Sequence, residues 1–183
     1  MTACLPFCTA VDLAAASEAA AEVLSRHEIV ALPTETFYGL AVRPDDAAGV
    51  AAVFSVKRRP SEKSLPVIAS DMGQVERLVE VPDLWRRKLD SVWPAPLTVI
   101  LPVRRPLACA PGSLAVRVPA HDLLRTLLGR LGPLTATSAN RSGAAPLTLG
   151  EDVCKQLGGS LGLVLDGGAT AGGQPSTIVD CCT

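Results

Sequence analysis

"SLAVRVPA", residues 113–120, alternates Leu114, Val116 and Val118 with Arg117 set between the last two. Period-two alternation marks a β-strand, whose successive side chains point to opposite faces. The stretch therefore predicts a strand carrying one cation on an apolar scaffold. A charge in that setting is costly unless something pairs it.

Working outward, "PLTVILPV" (96–103), "LGLVLDGG" (161–168) and "STIVD" (176–180) read as further strands, rich in branched apolar side chains. "EIVALPTETFYGLA" (28–41) opens with a short apolar strand, Ile29 to Leu32, which Pro33 breaks. A buried strand is expected around Leu65 to Ala69, and "PLTATSANRSG" (133–143) reads as a short strand running into a polar turn. Helical spacing appears between these runs. Residues 10–26 place Val11, Ala15, Ala19, Val23 and Leu24 on one stripe, and 45–56 starts with Asp45 or Asp46 as cap. Further helices are expected near 71–80, 82–91, 121–130 and 148–157. Strands alternating with helices predict an α/β architecture. No internal repeat or low-complexity linker divides the chain, so 1–183 reads as a single domain.

Composition narrows the function classes. A net charge of −1 excludes a polyelectrolyte partner for nucleic acid, so any basic function is local. Six cysteines without a C-x-x-C pair, and two distant histidines, support neither a zinc site nor a disulfide framework. The expectation is reduced thiols, a cytoplasmic location and no protein-bound metal. The N-terminus lacks the basic region of a secretory signal, and Asp12 and Glu18 interrupt its Ala-rich segment, so no membrane association is expected.

Nucleotide signatures of the P-loop and Rossmann kinds are absent. "GGSLG" (158–162) matches G-x-S-x-G, but a helix precedes it, a strand follows, and no His lies beyond position 121. A nucleophile elbow needs the opposite order, so this is a helix–strand turn.

Four polar segments fall at strand ends, where α/β sheets carry their ligands. "FSVKRRPSEKSLPVIAS" (54–70) gathers Lys57, Arg58, Arg59 and Lys63. These could simply complement a helix C-terminus, by ~0.3–1 kcal/mol. Pro60, however, stops the helix and throws Arg59 and Lys63 onto a loop, and Arg117 adds a cation elsewhere. Together they suit a multiply charged anion. Ser138, Asn140 and Ser142 follow a strand and precede Gly143, as in a loop that wraps phosphate or ribose oxygens. Thr34, Glu35, Thr36 and Tyr38 serve either as strand-end caps or as a small polar pocket for an amino or hydroxyl group. Ser176, by spacing alone, reads as structural.

"PTETFYGLA", "VKRRPSEKSLPVIAS", "WPAPLTVIL", "AVRVP", "TSANRSG" and "STIVD" occur in the order and rough spacing of the YrdC/TsaC family, which this chain resembles over about residues 10–180. The resemblance implies an open twisted mixed α/β sheet with flanking helices and a basic concave face. It also implies a reaction: L-threonine, bicarbonate and ATP give threonylcarbamoyl-AMP and pyrophosphate. A separate tRNA threonylcarbamoyl transferase system consumes the product. Carried over by position, Lys57, Arg59 and Lys63 match the ATP-phosphate motif, with Lys57 and Arg59 as the catalytic pair. Ser138 and Asn140 match a nucleotide loop, and Ser113 a further ATP contact. Thr34, Arg117 and Ser176 match threonine-binding positions, Arg117 holding the carboxylate. Mg²⁺ would share the phosphate charge.

The chain departs from the family in two places. It stops just past "STIVD", without the family's final C-terminal strand and tail, and Ile68 stands where some members have a His. Two other functions compete: an RNA-binding module using the same basic surface, and a carbamoyl-transfer domain of the hydrogenase-maturation type. Only six aromatics oppose the first, and the missing zinc-finger Cys pairs the second. A weak tRNA contact is compatible with the synthase reading. Because Lys57 and Arg59 read as loop cations, alanine at either is expected to abolish turnover and leave the fold intact.

Overall fold

A computed structural model describes residues 2–58 and 64–182. Among these residues ten strands and six helices give the expected α/β class, with more strands than the sequence predicts, and the strands divide into two mixed five-stranded sheets. The first contains β1 (Ala3–Pro6), β9 (Leu163–Asp166), β2 (Val30–Pro33), β3 (Tyr38–Ala41) and β8 (Thr137–Ser138), in that spatial order. The second contains β10 (Thr177–Asp180), β5 (Leu97–Pro102), β6 (Ser113–Arg117), β4 (Val67–Ile68) and β7 (Leu134–Thr135). Residues 133–143, read as one strand and a turn, thus contribute β7 to one sheet and β8 to the other, changing sheets at Ala136.

Alternation explains the two cores. Ile29 and Ala31 join one buried cluster with Val67, Val99, Leu114 and Val116 of the second sheet. Val30 and Leu32, pointing the other way, join Leu163, Leu165 and the leucines Leu124, Leu127 and Leu128 of α5 (Asp122–Leu131). Each such aliphatic side chain contributes about 1.5–3 kcal/mol on burial. Helix α1 (Leu13–Ser25) covers this second cluster, but with a stripe rotated from the expected one. Leu13, Ala16, Ser17, Ala20, Val23 and Leu24 are buried, whereas Val11 precedes the helix and is exposed. In an Ala-rich segment the small side chains define no sharp phase, and the two large ones, Leu13 and Leu24, set it.

Other helices start where short polar residues can accept a backbone N–H. Asp46 caps α2 (Ala47–Lys57) through Ala48 N, and Asp71 caps α3 (Met72–Leu78) through Gln74 N. Helix α4 (Asp83–Val92) follows, and α6 (Gly150–Leu157) runs into a 3₁₀ turn at Gly158–Ser160 before β9, so the "GGSLG" match is a helix–strand turn. Gly150 itself is required by packing: a β-carbon there would collide with the Asp166 carboxylate.

Two strands escaped the sequence reading. β1 is an exposed edge strand, paired only with β9, so no core imposes an alternation on it. β3 pairs with β2 as an antiparallel hairpin across Thr34–Phe37, and all four of its residues are buried, Gly39 among them. A glycine inside a four-residue run hides a strand from propensity. Among the described residues no helix is long and apolar enough to cross a membrane.

Candidate active site

The β2–β3 turn is built on Thr34. Its hydroxyl donates to Phe37 O at 2.7 Å and accepts the N–H groups of Thr36 and Phe37 at 3.2 and 3.3 Å. Thr34 is buried, and this capping fixes where Glu35 and Thr36 project. One strand residue away, the buried Tyr38 hydroxyl accepts Gly167 N–H at 3.1 Å and donates to Gly168 O at 2.7 Å, with Asp166 Oδ1 also at 3.1 Å. Burial pushes this phenol above its ordinary range, so it stays a neutral structural bolt. It ties the segment after β9 to the turn, and Gly172 N–H to Thr36 O at 2.7 Å draws that segment across.

That segment ends on Ser176, whose hydroxyl lies 2.8 Å from Thr98 Oγ1 of β5. Beneath it, Arg117 ends β6 beside Ile68 of β4, and its side chain is 9% exposed. Arg117 Nη1 donates to Glu35 Oε1 at 2.7 Å. Burial pushes the guanidinium's pKa down, and Glu35 opposes that shift. Glu35 is the counter-charge that an arginine on an apolar strand required. Its other oxygen, Oε2, is buried without a hydrogen-bond partner among the described residues. His121, which caps α5 by accepting Leu124 N–H, also lies within reach of Glu35's charge; burial lowers its pKa and Glu35 opposes.

Lys57 occupies the other flank. It is the last residue of α2, 3% exposed, and its ammonium meets Ser138 O at 2.6 Å, Asn140 Oδ1 at 3.0 Å and Asn140 O at 3.1 Å. An ammonium has three N–H donors, and all three of these acceptors belong to one loop. Ser138 Oγ donates to Asn140 Oδ1 at 2.6 Å, Asn140 Nδ2 to Ala144 O at 2.5 Å, and Ser142 N–H returns to Lys57 O at 3.0 Å. The expected loop cation is instead a buried staple between a helix end and the Ser138–Asn140 loop. Alanine at Lys57 would therefore disturb the fold as well as turnover, contrary to expectation.

The two flanks meet in a cavity of about 130 Å³. Thr34, Thr36, Tyr38, Arg117, Ser138 and Ser176 line it, together with Phe37, Gly39, Ala136 and Pro175. Thr34, Arg117, Ser138 and Ser176, widely separated in sequence, are thus brought together. Ser113 is not: it is exposed at the far end of β6, four strand steps or about 13 Å from Arg117. Arg59 and Lys63 lie outside the described residues. Sequence reasoning singled out Glu35 but not its pairing with Arg117, and it missed Thr98. The signal for the first was present, because a cation on an apolar strand needs a partner. No group of three His, Cys, Asp or Glu able to hold a metal ion occurs among the described residues.

A cavity this small falls below the roughly 300–1,000 Å³ of drug-sized sites. With hydroxyls on its walls and a guanidinium at its base, it suits a small carboxylate-bearing molecule.

Comparisons with known proteins agree with this architecture. The Sua5/YciO/YrdC family model, described as "Telomere recombination", matches residues 22–183. The chain is 36% identical over 170 residues to a Bacillus subtilis threonylcarbamoyl-AMP synthase, covering 88% of this chain and 49% of that one. With the enzyme of the same name from Yersinia enterocolitica it shares 38% identity over 172 residues, covering 88% and 89%. The crystal structure of P. abyssi Sua5 complexed with L-threonine superposes with a TM-score of 0.88 at 30% identity, covering 98% of this chain and 54% of that one. The chain thus spans about half of two of these relatives and nearly all of the third. It belongs to the Sua5/YciO/YrdC family.

Proposed function

We propose that this protein is a threonylcarbamoyl-AMP synthase, a nucleotidyltransferase that converts L-threonine, bicarbonate and ATP into threonylcarbamoyl-AMP and pyrophosphate. The observation that carries the reading is the cavity itself. Arg117 and three hydroxyl residues form an amino-acid-sized site whose wall, Ser138, belongs to the loop stapled by Lys57.

In this reading Arg117 takes the amino acid carboxylate, a charge-assisted bond of ~1.5–3 kcal/mol. Thr34, Thr36 and Ser176 surround the side-chain hydroxyl. The Ser138–Asn140 loop receives the nucleotide next to it, and Arg59 and Lys63 supply charge to the phosphates. Lys57 acts mainly by fixing that loop. The amine of threonine and bicarbonate join as a carbamate with loss of water. A carbamate oxygen then attacks the α-phosphorus while the bond to the β-phosphate oxygen breaks and pyrophosphate leaves. No covalent protein intermediate is needed, which agrees with the absence of a Ser/His or Cys/His pair in the cavity. Holding two anions in line is the protein's task. Mg²⁺ arriving with ATP would share the phosphate charge with Arg59 and Lys63.

A cytoplasmic protein supplying a tRNA threonylcarbamoyl transferase completes the reading. The test is pyrophosphate release by the purified protein: it should require threonine and bicarbonate together. Release that ignores either would overturn the assignment.

A further inference from the structure

The Arg117–Glu35 pair raises a question that an amino-acid site does not answer by itself. If Arg117 exists to receive a carboxylate, a second carboxylate already holding it is a competitor. Glu35 grips only Nη1 and leaves its own Oε2 buried and unpartnered. The remaining guanidinium nitrogens donate to no side chain or backbone among the described residues, and Arg117 lines the cavity whereas Glu35 does not. Glu35 therefore stands behind the arginine, neutralising it while leaving donors free on the cavity side.

We propose that Glu35 neutralises Arg117 in the amino-acid cavity, and so selects net-neutral zwitterions against plain carboxylates. The proposal rests on the amino-acid reading above. A bare carboxylate entering this site meets a cation whose charge is already balanced, and it leaves two buried carboxylates sharing one arginine. A zwitterion brings its own ammonium, and the site stays balanced after binding. Low local dielectric magnifies the difference. His121, the other titratable side chain that senses Glu35 among the described residues, is driven toward its neutral form by burial and adds no compensating charge near pH 7. For the proposed reaction this bias matters, because only a ligand with an amine can go on to a carbamate.

The experiment compares ligands of one skeleton: L-threonine, 3-hydroxybutanoate, which lacks the ammonium, and threoninol, which lacks the carboxylate. Dissociation constants are measured by calorimetry for the full chain and for Glu35→Gln. The wild type should bind threonine at least 10-fold tighter than either analogue. In Glu35→Gln, 3-hydroxybutanoate should gain about 10-fold and threonine should not, so the ratio collapses; Glu35→Asp, which keeps the charge, should preserve it. A wild type that binds 3-hydroxybutanoate as tightly as threonine, an arm that needs no variant, overturns the proposal. So does an unchanged ratio in Glu35→Gln. A purely structural Glu35 would weaken all three ligands alike. Serine and alanine, each run beside its amine-free carboxylate, separate the two readings: zwitterion selection without a preference for threonine would sink the function and leave the charge rule standing.

Discussion

Two buried cations flank the candidate site in different ways: Arg117 lines the cavity, and Lys57 bonds to the lining residue Ser138. Among the described residues, Lys57 donates to two carbonyls and a side-chain oxygen of one loop. Arg117 is held by a single carboxylate oxygen, at 2.7 Å, with a cavity on its other side. Through its bonds the lysine shapes a loop. The arginine is neutralised by a charge and keeps donors in reserve. A cation surrounded by the backbone it organises acts on a ligand through that backbone; one beside a cavity can act on it directly.

Removing the arginine should have the largest effect. Arg117→Met strands Glu35 as a buried, unpaired carboxylate, so unfolding free energy should fall by about 3–5 kcal/mol in urea titrations. Threonine-dependent pyrophosphate release should fall ~100-fold, the loss of one charge-assisted contact. The double variant Arg117→Met/Glu35→Gln should recover most of the stability and none of the activity. Recovery of both would make the arginine a structural residue like Lys57 and erase the contrast.

Lys57→Met comes next. It removes the ammonium bonds to Ser138 O and the Asn140 oxygens, a loss of about 1–3 kcal/mol. Because its role is to hold the loop, apparent ATP affinity should suffer about 10-fold, and threonine binding measured without ATP should stay within about 2-fold. A variant that lost threonine affinity as severely as Arg117→Met would show that the two flanks do not act separately.

The sequence was most informative where chemistry leaves a local pattern. The alternation around Arg117 placed it on a strand, and the Asp45–Asp46 pair marked a helix start, of which Asp46 is the cap. Thr34, Arg117, Ser138 and Ser176, grouped by resemblance, line one cavity. What stayed hidden depends on distance along the chain. Glu35 and Arg117 are far apart in sequence, as are Lys57 and Asn140, and no local rule joins such residues. The change of sheet at Ala136 is likewise invisible, because Thr135 and Thr137 have identical local preferences and differ only in their partners, Val67 and Leu40. Lys57 misled for a related reason: a lysine at the end of a helix, in a run of cations, looks solvated until the loop that covers it is known.

A smaller effect should follow from the hydroxyl pair at the cavity rim. Thr98→Val removes the partner of Ser176 while preserving shape. About 0.5–1.5 kcal/mol of stability should go, and the apparent KM for threonine should rise a few-fold with kcat unchanged. A fall in kcat instead would place Ser176 nearer the reacting atoms than the threonine hydroxyl.

The finest test reads the arginine flank through a neighbour. His121 is partly buried, and burial holds its pKa below the ordinary 6.5, against the pull of Glu35. A base whose folded pKa is depressed contributes stability that is fully present above the unfolded value. That contribution is lost as pH falls from about 6.5 toward the folded pKa, because the unfolded chain takes up the proton first. Unfolding free energy should therefore decline with acidification in this window, and His121→Gln should flatten the decline. Replacing Glu35 by Gln removes the opposing carboxylate, so the imidazole pKa followed by NMR should drop further. Arg117→Met should move it the other way, since Glu35 then faces His121 without a competing cation. Opposite shifts from the two halves of one ion pair are what a charge-balanced site requires; equal shifts would mean that His121 reports packing alone.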